Sequence, residues 1–464
     1  MKKKLVVTMV ALFVLALSFA LVPKKANAIP AFAQKYHFSC AVCHTVFPNL
    51  NPFGRAFWRN GFRLPGTNGT PADATQITEG LSLPNPWPIP VMVEPIISYQ
   101  HTTNENVSDN TDAFGAGVDI VDAGAFKLYT PLANSLSFYV HYGFNAGKGP
   151  INGKQIFASI NGLGSGLGMP SHLFNLKLGQ VTTASPYFYR QMPFYLIAGP
   201  VGNGQGLAVG GDGEAAALIH SRNAGFALYG TPGYHLWYKV TVTNDPGANA
   251  GTALDAGASN AMQYSYQLKE YAPIPMGQLE LGYYGSTIAE PMGAAGANWT
   301  NRVMVNGVDV DLANDVYELG LTYMVQSDSN PYANNTSISG GYPNVSGTSN
   351  GYSTLEIYGR YILPVMNNGV MLSADYASYS WTHKDLQEEY QNSVSGVTSG
   401  CQNGSLYQSG AYSEVNGGCN EGISYALALQ AEINLAYNAH LYLGYTITNK
   451  DQDNLLGTGL DFAF

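Results

Sequence analysis

Charged residues are scarce in this chain of 464 residues. Asp, Glu, Lys and Arg together make up 11% of it, whereas soluble globular proteins carry about 25%. The 31 acidic residues outnumber the 21 Lys and Arg, which gives a formal net charge of −10. Because no basic block is present, nucleic acid is excluded as a partner. The low charge, together with 53 Gly and 32 Tyr, is unlike the composition of a soluble enzyme.

Long apolar runs are also scarce. The only one lies at residues 5–22, after three lysines and before the small residues Ala26-Asn27-Ala28. This arrangement predicts a signal peptide at residues 1–28, and the alternative is a retained membrane anchor. No later run reaches the roughly 20 apolar residues that a spanning helix needs. We therefore expect the mature chain to work outside the cytoplasm.

What the chain does have, from about residue 91 onward, is strict alternation of apolar and polar residues. In residues 317–325, Leu319 and Leu321 lie on one face and Glu318 and Thr322 on the other. Such alternation predicts β-strands with one apolar and one polar face. Both a soluble β-sandwich and an all-β transmembrane barrel have strands of this kind.

Connection lengths favour the barrel. Short turns alternate with long polar loops such as 327–351 and 382–421, as in outer-membrane barrels with short periplasmic turns. Counting back from the C-terminus gives about 16 antiparallel strands, including one near 185–200. The chain ends on Phe464, which resembles the C-terminal aromatic signal of outer-membrane barrels.

Cysteine is rare, yet two of the four cysteines fall in one C-x-x-C-H run, formed by Cys40, Cys43 and His44. This pattern indicates covalent attachment of one haem c: the thiols bind the vinyl groups and the histidine binds the iron. A zinc site would need a second ligand pair, and Cys401 and Cys419 lie too far apart to supply it. In an oxidising compartment these two cysteines predict a disulfide.

The domain prediction follows from these patterns: signal peptide 1–28, monohaem cytochrome c segment 29–83, Pro-rich linker 84–90 and outer-membrane barrel 91–464. The haem segment contains a small α-helix and is expected at or in the barrel lumen. Phe53 and Phe57 are four apart and could cover one haem face. Arg55 and Arg59 are also four apart, and they either pair with the haem propionates or are solvated.

The sixth ligand of the haem iron is predicted from strand parity. In the first barrel strand, alternation turns Met92, Glu94 and Ser98 inward and Val93 and Ile97 outward. The Met92 thioether is then placed to bind the iron. The alternative is a methionine that only fills space, and two histidines, His37 and His101, are the other candidate ligands.

The run "IPAFAQKYHFSCAVCHTVFPNLNPFGRAFWRNGFRLP" at residues 29–65 resembles the N-terminus of the fused outer-membrane monohaem cytochrome c–porins, a family that includes ferrous-iron oxidases. It departs from the iron oxidases at residues 34–37, Trp58 and Phe62. The matching positions are Pro30, Phe32, Ala33, Cys40, Cys43, His44, Pro48, Leu50, Phe53, Gly54, Arg55, Phe57 and Gly61.

The resemblance implies an outer-membrane electron conduit with one haem c. The expected electron donor is extracellular, Fe(II) or another reductant, and the expected acceptor is a periplasmic c-type cytochrome or copper protein. Outer-membrane lipid surrounds the barrel, and ferrous-iron oxidase activity is one possible reaction. Two alternatives remain open: a solute porin with a haem-bearing plug, and a conduit that reduces extracellular acceptors.

Overall fold

The computed structural model describes a large part of the chain. The described residues are 32, 36, 38–46, 49–64, 75–78, 81–83, 91–102, 111–130, 132–145, 152–182, 222–244, 261–292, 299–329, 349–364, 369–383, 425–436, 439–448 and 455–462. The predicted signal peptide, the Pro-rich linker, the predicted disulfide and Phe464 lie outside these residues.

Sixteen antiparallel strands close into a β-barrel, as the sequence predicts, and the last strand pairs with the first. The strand predicted near residues 185–200 lies outside the described residues, and the barrel closes without it. The barrel strands are β5 (Met92–Thr102), β6 (Thr111–Thr130), β7 (Ala133–Asn145), β8 (Asn152–Asn161), β9 (Asn175–Thr182), β10 (Arg222–Gly230), β11 (Leu236–Asn244), β12 (Met262–Ile274), β13 (Gly277–Met292), β14 (Trp299–Ala313), β15 (Tyr317–Asp328), β16 (Asn350–Leu363), β17 (Val370–Trp381), β18 (Tyr425–Ala436), β19 (Ala439–Thr448) and β20 (Leu455–Phe462).

Small elements precede the barrel. They are a 3-10 turn (Cys40–Val42), β1 (His44–Val46), β2 (Asn49–Leu50), α1 (Pro52–Arg59), β3 (Thr75–Thr78) and β4 (Leu81–Leu83). β1 pairs with β2, and β3 pairs with β4, each antiparallel. Among the described residues, no helix has the length and the apolar character required to cross a membrane.

The two faces of the barrel wall differ as the alternation predicts. On β15, Leu319 and Leu321 are exposed on the outside, whereas Glu318 and Thr322 are buried on the inside. The same division holds on β11 and β16. An apolar outer face around a polar interior is the arrangement of a barrel that spans a membrane, because lipid contacts only the outside.

The two ends of the barrel also differ. At one end the connections are short, for example 131–132, 275–276, 314–316 and 437–438, and we call it the short-turn end. At the other, long-loop end, the connections include 183–221, 329–349 and 382–424. A side chain closes one of the short turns: the Asn314 Oδ1 accepts hydrogen bonds from the backbone N–H groups of Val316 and Tyr317, at 2.8 and 2.9 Å.

Candidate functional site

Residues 49–64, which we call the plug, lie inside the barrel lumen at the short-turn end, as their contacts show. The helix α1 begins after Asn51, whose Oδ1 accepts a hydrogen bond from the Gly54 N–H at 2.9 Å, and Pro52 occupies its first position. The helix ends at Arg59, and Asn60 is its C-cap residue. Gly61 follows with φ +66°, a left-handed conformation that glycine adopts without strain and that reverses the chain.

Two arginines of α1 form ion pairs with carboxylates of the barrel wall. Arg55 Nη1 lies 2.9 Å from Asp311 Oδ1, and Arg55 Nη2 lies 2.6 Å from Glu318 Oε1. Arg59 Nη2 lies 3.0 Å from Glu280 Oε2. Arg55 and Arg59, for which the sequence suggested haem propionates or solvent as partners, therefore bind barrel carboxylates instead.

The ionisation of these arginines is secured by the same contacts. Burial alone would lower the pKa of Arg55, but the charges of Glu318, Asp311 and Glu280 more than offset it, and the net pKa is raised. For Arg59 the balance is similar, with Glu280 as the main opposing charge. Removing one partner of such a buried pair leaves an uncompensated charge, which destabilises by about 3–5 kcal/mol.

A third arginine fixes the C-terminal end of the plug. Arg63 is 1% exposed. Its guanidinium donates to the Ser171 carbonyl at 3.0 Å, to Asn175 Oδ1 at 2.8 Å and to Asn60 Oδ1 at 3.1 Å. Because Ser171 and Asn175 belong to the β8–β9 connection and to β9, the plug is held on a second side of the wall.

An aromatic core joins the plug to β6, β7 and β8. Trp58 meets Tyr139 and Phe157 edge-on, with ring centroids 5.2 and 5.8 Å apart, and Phe62 stacks on Phe157 at 6.4 Å. Edge-on and stacked pairs of this kind add about 0.5–1.5 kcal/mol each beyond their buried area. The same cluster contains Phe32, Phe57, Ala123 and Ala125. Plug and barrel therefore share one apolar core.

The C-x-x-C-H run is held against the first turn of α1. Asn51 is central: its Nδ2 donates to the Val42 carbonyl at 3.0 Å, and its backbone N–H donates to the Cys43 carbonyl at 2.9 Å. A Cβ added at Gly54 would stand 2.2 Å from the Cys43 carbonyl oxygen, so the approach requires glycine. The backbone of the run is thus tied to a helix that the barrel holds.

The residues around the run fit a covalently bound haem c. The Cys40 backbone lies in the 3-10 turn, and the side chains of Cys43 and His44 are partly exposed and accessible to a ligand. Phe53, the residue predicted to cover one haem face, is partly exposed and stacks on the buried Phe57 at 6.5 Å. Further rings lie beside them: Phe38 meets Phe53 edge-on at 5.9 Å, and Tyr36 stacks on Phe38 at 5.4 Å. Burial raises the pKa of Tyr36 to about 12.

Met92 faces the lumen, as strand parity predicts. It is 5% exposed, Glu94 and Ser98 are also buried, and Val93 and Ile97 are exposed. Met92 pairs with Val121 of β6, two residues before the Ala123 that packs against the aromatic core of the plug. Its role as sixth ligand stays a prediction.

For the other two candidate ligands of the haem iron, the structure gives no side-chain position. His37 and the side chain of His101 lie outside the described residues. Within the described ranges, no group of three or more His, Cys, Asp or Glu side chains is arranged to hold a metal ion.

The fold defines the class of protein: a closed 16-strand barrel of the porin type. One similar structure is Salmonella typhi OmpF in complex with daunomycin, with a TM-score of 0.50 and 10% identity over 81% of this chain and 98% of that chain. A mutant of the Rh. blastica porin aligns with a TM-score of 0.43 and 12% identity over 81% and 100% of the two chains. No protein-family model and no curated protein matches the chain.

The sequence analysis missed the carboxylates that hold the plug. Alternation does place Glu318 on the inner face, and the same rule places Glu280 and Asp311 there. However, Arg55 is 256 residues from Asp311 and 263 from Glu318. Nothing in the local pattern indicates which inward-facing acid meets which arginine. The excess of acids on the inner face of β13–β15 was the one available signal.

Proposed function

We propose that this chain is an outer-membrane, porin-type barrel that works as an electron conduit, with one haem c attached to Cys40 and Cys43 and ligated by His44. The observation that carries the proposal is the seating of the C-x-x-C-H run: it is tied by Asn51 to a helix that Arg55 and Arg59 fix inside the lumen. A porin that serves only diffusion gains nothing from such a fixed redox centre.

The apolar outer face supports the localisation, since it matches a barrel surrounded by lipid. A haem bound to the run would carry single electrons by changing the iron between its ferrous and ferric states. The role of the protein is to hold the C-x-x-C-H run rigidly. The hydrogen bonds of Asn51 fix the backbone of the run, and the aromatic rings around Phe53 and Phe57 exclude water from one side of it. A rigid, apolar site keeps reorganisation during electron transfer small.

The proposed donor is extracellular, most simply Fe(II), and the proposed acceptor is a periplasmic c-type cytochrome or copper protein. The negative net charge of the chain favours a cationic donor by raising its concentration near the barrel. Iron:cytochrome c oxidoreductase activity is the corresponding reaction. Electron flow in the reverse direction, to an extracellular acceptor, would use the same haem site.

A solute porin with a haem-bearing plug is the second candidate, and the porin-type barrel favours it. The two functions differ in what passes through the lumen. A solute porin needs an open path beside the plug, whereas the conduit needs only the redox centre. The ion pairs of Arg55 and Arg59, which fix the plug to β13–β15, favour the conduit.

The test uses the purified, oxidised protein in detergent. Stopped-flow mixing with Fe(II) should reduce the haem in the native protein, and a soluble ferric cytochrome c should reoxidise it. In parallel, the protein is inserted into planar lipid bilayers and its conductance is recorded. Fast reduction with low conductance supports the conduit. Steady porin-like conductance without reduction by Fe(II), or by any extracellular reductant tried, supports the solute porin.

A further inference from the structure

A second part of the lumen wall, on β9 to β11, carries buried basic residues that the proposed function does not use. Lys177 of β9 is 9% exposed. Its Nζ lies over three aromatic rings, at 4.0 Å from the ring centroid of Phe157 and at 5.3 Å from those of Trp58 and Tyr229. Because Trp58 belongs to the plug, Lys177 lies between plug and wall.

The charge of Lys177 is not balanced by the residues that the structure describes. Among them, no carboxylate and no hydrogen-bond acceptor contacts its ammonium group, and the ring contacts are its whole set of partners. Lys269, which is also buried in the lumen, lies 2.8 Å from Asp309 and 3.8 Å from Glu280. Ring contacts recover only part of the desolvation of a buried ammonium. An anion beside Lys177 would therefore stabilise its charged form, and the described residues supply none.

Strand register brings further donors beside Lys177. Lys177, Ala227 and Thr241 form one row across β9, β10 and β11, and only the small side chain of Ala227 stands between the other two. Lys239, two residues before Thr241, also faces the lumen and donates to the Thr182 carbonyl at 3.1 Å. We call the residues Lys177, Ala227, Lys239 and Thr241 the lysine recess.

Two neutral groups on β11 have unused hydrogen-bonding capacity. The Thr241 Oγ1 and the Trp237 Nε1 are buried, and neither finds a hydrogen-bond partner in the described part of the chain. Buried polar groups in native proteins are nearly always paired. An indole N–H only donates, and a hydroxyl can both donate and accept. An acceptor-rich ligand beside Thr241 would satisfy its hydroxyl.

We propose that the lysine recess binds an anionic group, a carboxylate or an oxyanion. The oxygens of this group accept hydrogen bonds from the Lys177 and Lys239 ammonium groups and from the Thr241 hydroxyl. Hydrogen bonds between charged partners of this kind are short and strong. The anionic group could come from two sources. One is a propionate of the haem, and this version of the proposal rests on the proposed function. The other is a small anion that diffuses in the lumen, and this version is independent of the proposed function. Since Arg55 and Arg59 are occupied by barrel carboxylates, they do not compete for it.

The first arm of the test detects a diffusible anion. The unfolding temperature of the intact, detergent-solubilised protein is measured against inorganic phosphate, with sodium chloride holding the ionic strength constant. A ligand that binds only the folded state raises this temperature. If the anion is diffusible, phosphate stabilises the native protein, Lys177→Gln abolishes the shift and Thr241→Val reduces it. Lys127→Gln, at an exposed lysine of β6, is the matched control and should keep the full shift.

The second arm detects a haem propionate. Spectroelectrochemistry compares the haem midpoint potential of the native protein, Lys177→Gln and Lys177→Arg. Loss of a positive charge beside the propionate favours the ferric haem and lowers the potential in Lys177→Gln, whereas Lys177→Arg stays near the native value. A lowered potential together with no response to phosphate assigns the recess to the propionate.

The proposal is overturned if phosphate has no effect and the potential of Lys177→Gln is unchanged. It is also overturned if Lys177→Met raises the unfolding temperature of the protein in saturating phosphate, because removing one partner of a buried ion pair is destabilising. A preparation that carries no haem refutes the proposed function but leaves the phosphate arm intact. In that case the presence or absence of the phosphate shift alone decides the proposal.

Discussion

Arg55 of the plug donates hydrogen bonds to two carboxylates at once, Asp311 at the end of β14 and Glu318 at the start of β15. A short turn joins these strands, so both acids lie at the short-turn end of the barrel. Arg360 adds a second cation to Glu318 at 3.0 Å, and the Tyr358 hydroxyl donates to Asp311. The plug is therefore part of a buried charge network that continues into the wall, and this network makes the plug a fixed part of the barrel.

Arg55→Met should destabilise the protein and loosen the plug. The substitution leaves Asp311 and Glu318 buried beside fewer cations, and the expected loss is about 3–5 kcal/mol. Thermal unfolding in detergent measures the loss, and limited proteolysis of the N-terminal segment reports the loosening. Arg302→Met, at an exposed position of the same strand β14 as Asp311, should change neither. Equal effects of the two substitutions would contradict the ion-pair account of plug seating.

Gly61→Ala should be far more harmful than Gly168→Ala. Both glycines have positive φ, +66° and +85°, so alanine is strained at either position by roughly 1–2 kcal/mol. At Gly61 the added Cβ would also stand 2.3 Å from the Asn161 Oδ1 of the barrel wall, whereas at Gly168 nothing lies within 4 Å. Unfolding temperatures of the two variants test this. Similar temperatures would show that the plug does not press against β8 as described.

Cys40→Ala and Cys43→Ala should each weaken or abolish haem attachment. The native protein should carry one haem c per chain, because only one C-x-x-C-H run exists. The pyridine haemochrome spectrum of denatured, purified protein gives the amount and type of covalently bound haem. Cys401→Ala, outside the haem run, is the control and should retain a full complement. A native protein with no bound haem, or with two haems per chain, would be inconsistent with the assignment.

Met92→Ala should lower the midpoint potential of the haem and remove the weak charge-transfer band of Met-ligated ferric haem. The reason is that an axial thioether raises the potential of a haem c. Met371→Ala is the matched control, since Met371 is also a buried methionine, on β17. Both substitutions should cost about 2–5 kcal/mol through the cavity they leave. If Met92→Ala resembles Met371→Ala in spectrum and potential, the sixth ligand lies elsewhere, and His37 is the next residue to change.

Much of the architecture could be read from the sequence because it depends on local periodicity. Alternation alone gave the two faces of β11, β15 and β16, and the lengths of the connections gave the two ends of the barrel. Parity along β5 correctly turned Met92 inward. The C-x-x-C-H run needs no fold for its interpretation, since its chemistry lies in five consecutive residues.

The tertiary structure decided how the plug packs in the barrel. Strand parity states that Glu280, Asp311 and Glu318 face the lumen, but parity repeats every two residues and carries no information about partners hundreds of residues away. Only closure of the barrel brings these acids to Arg55 and Arg59, and only closure places Lys177 under Trp58. A local motif can be recognised from neighbouring residues, whereas the pairing of buried charges depends on the path of the whole chain.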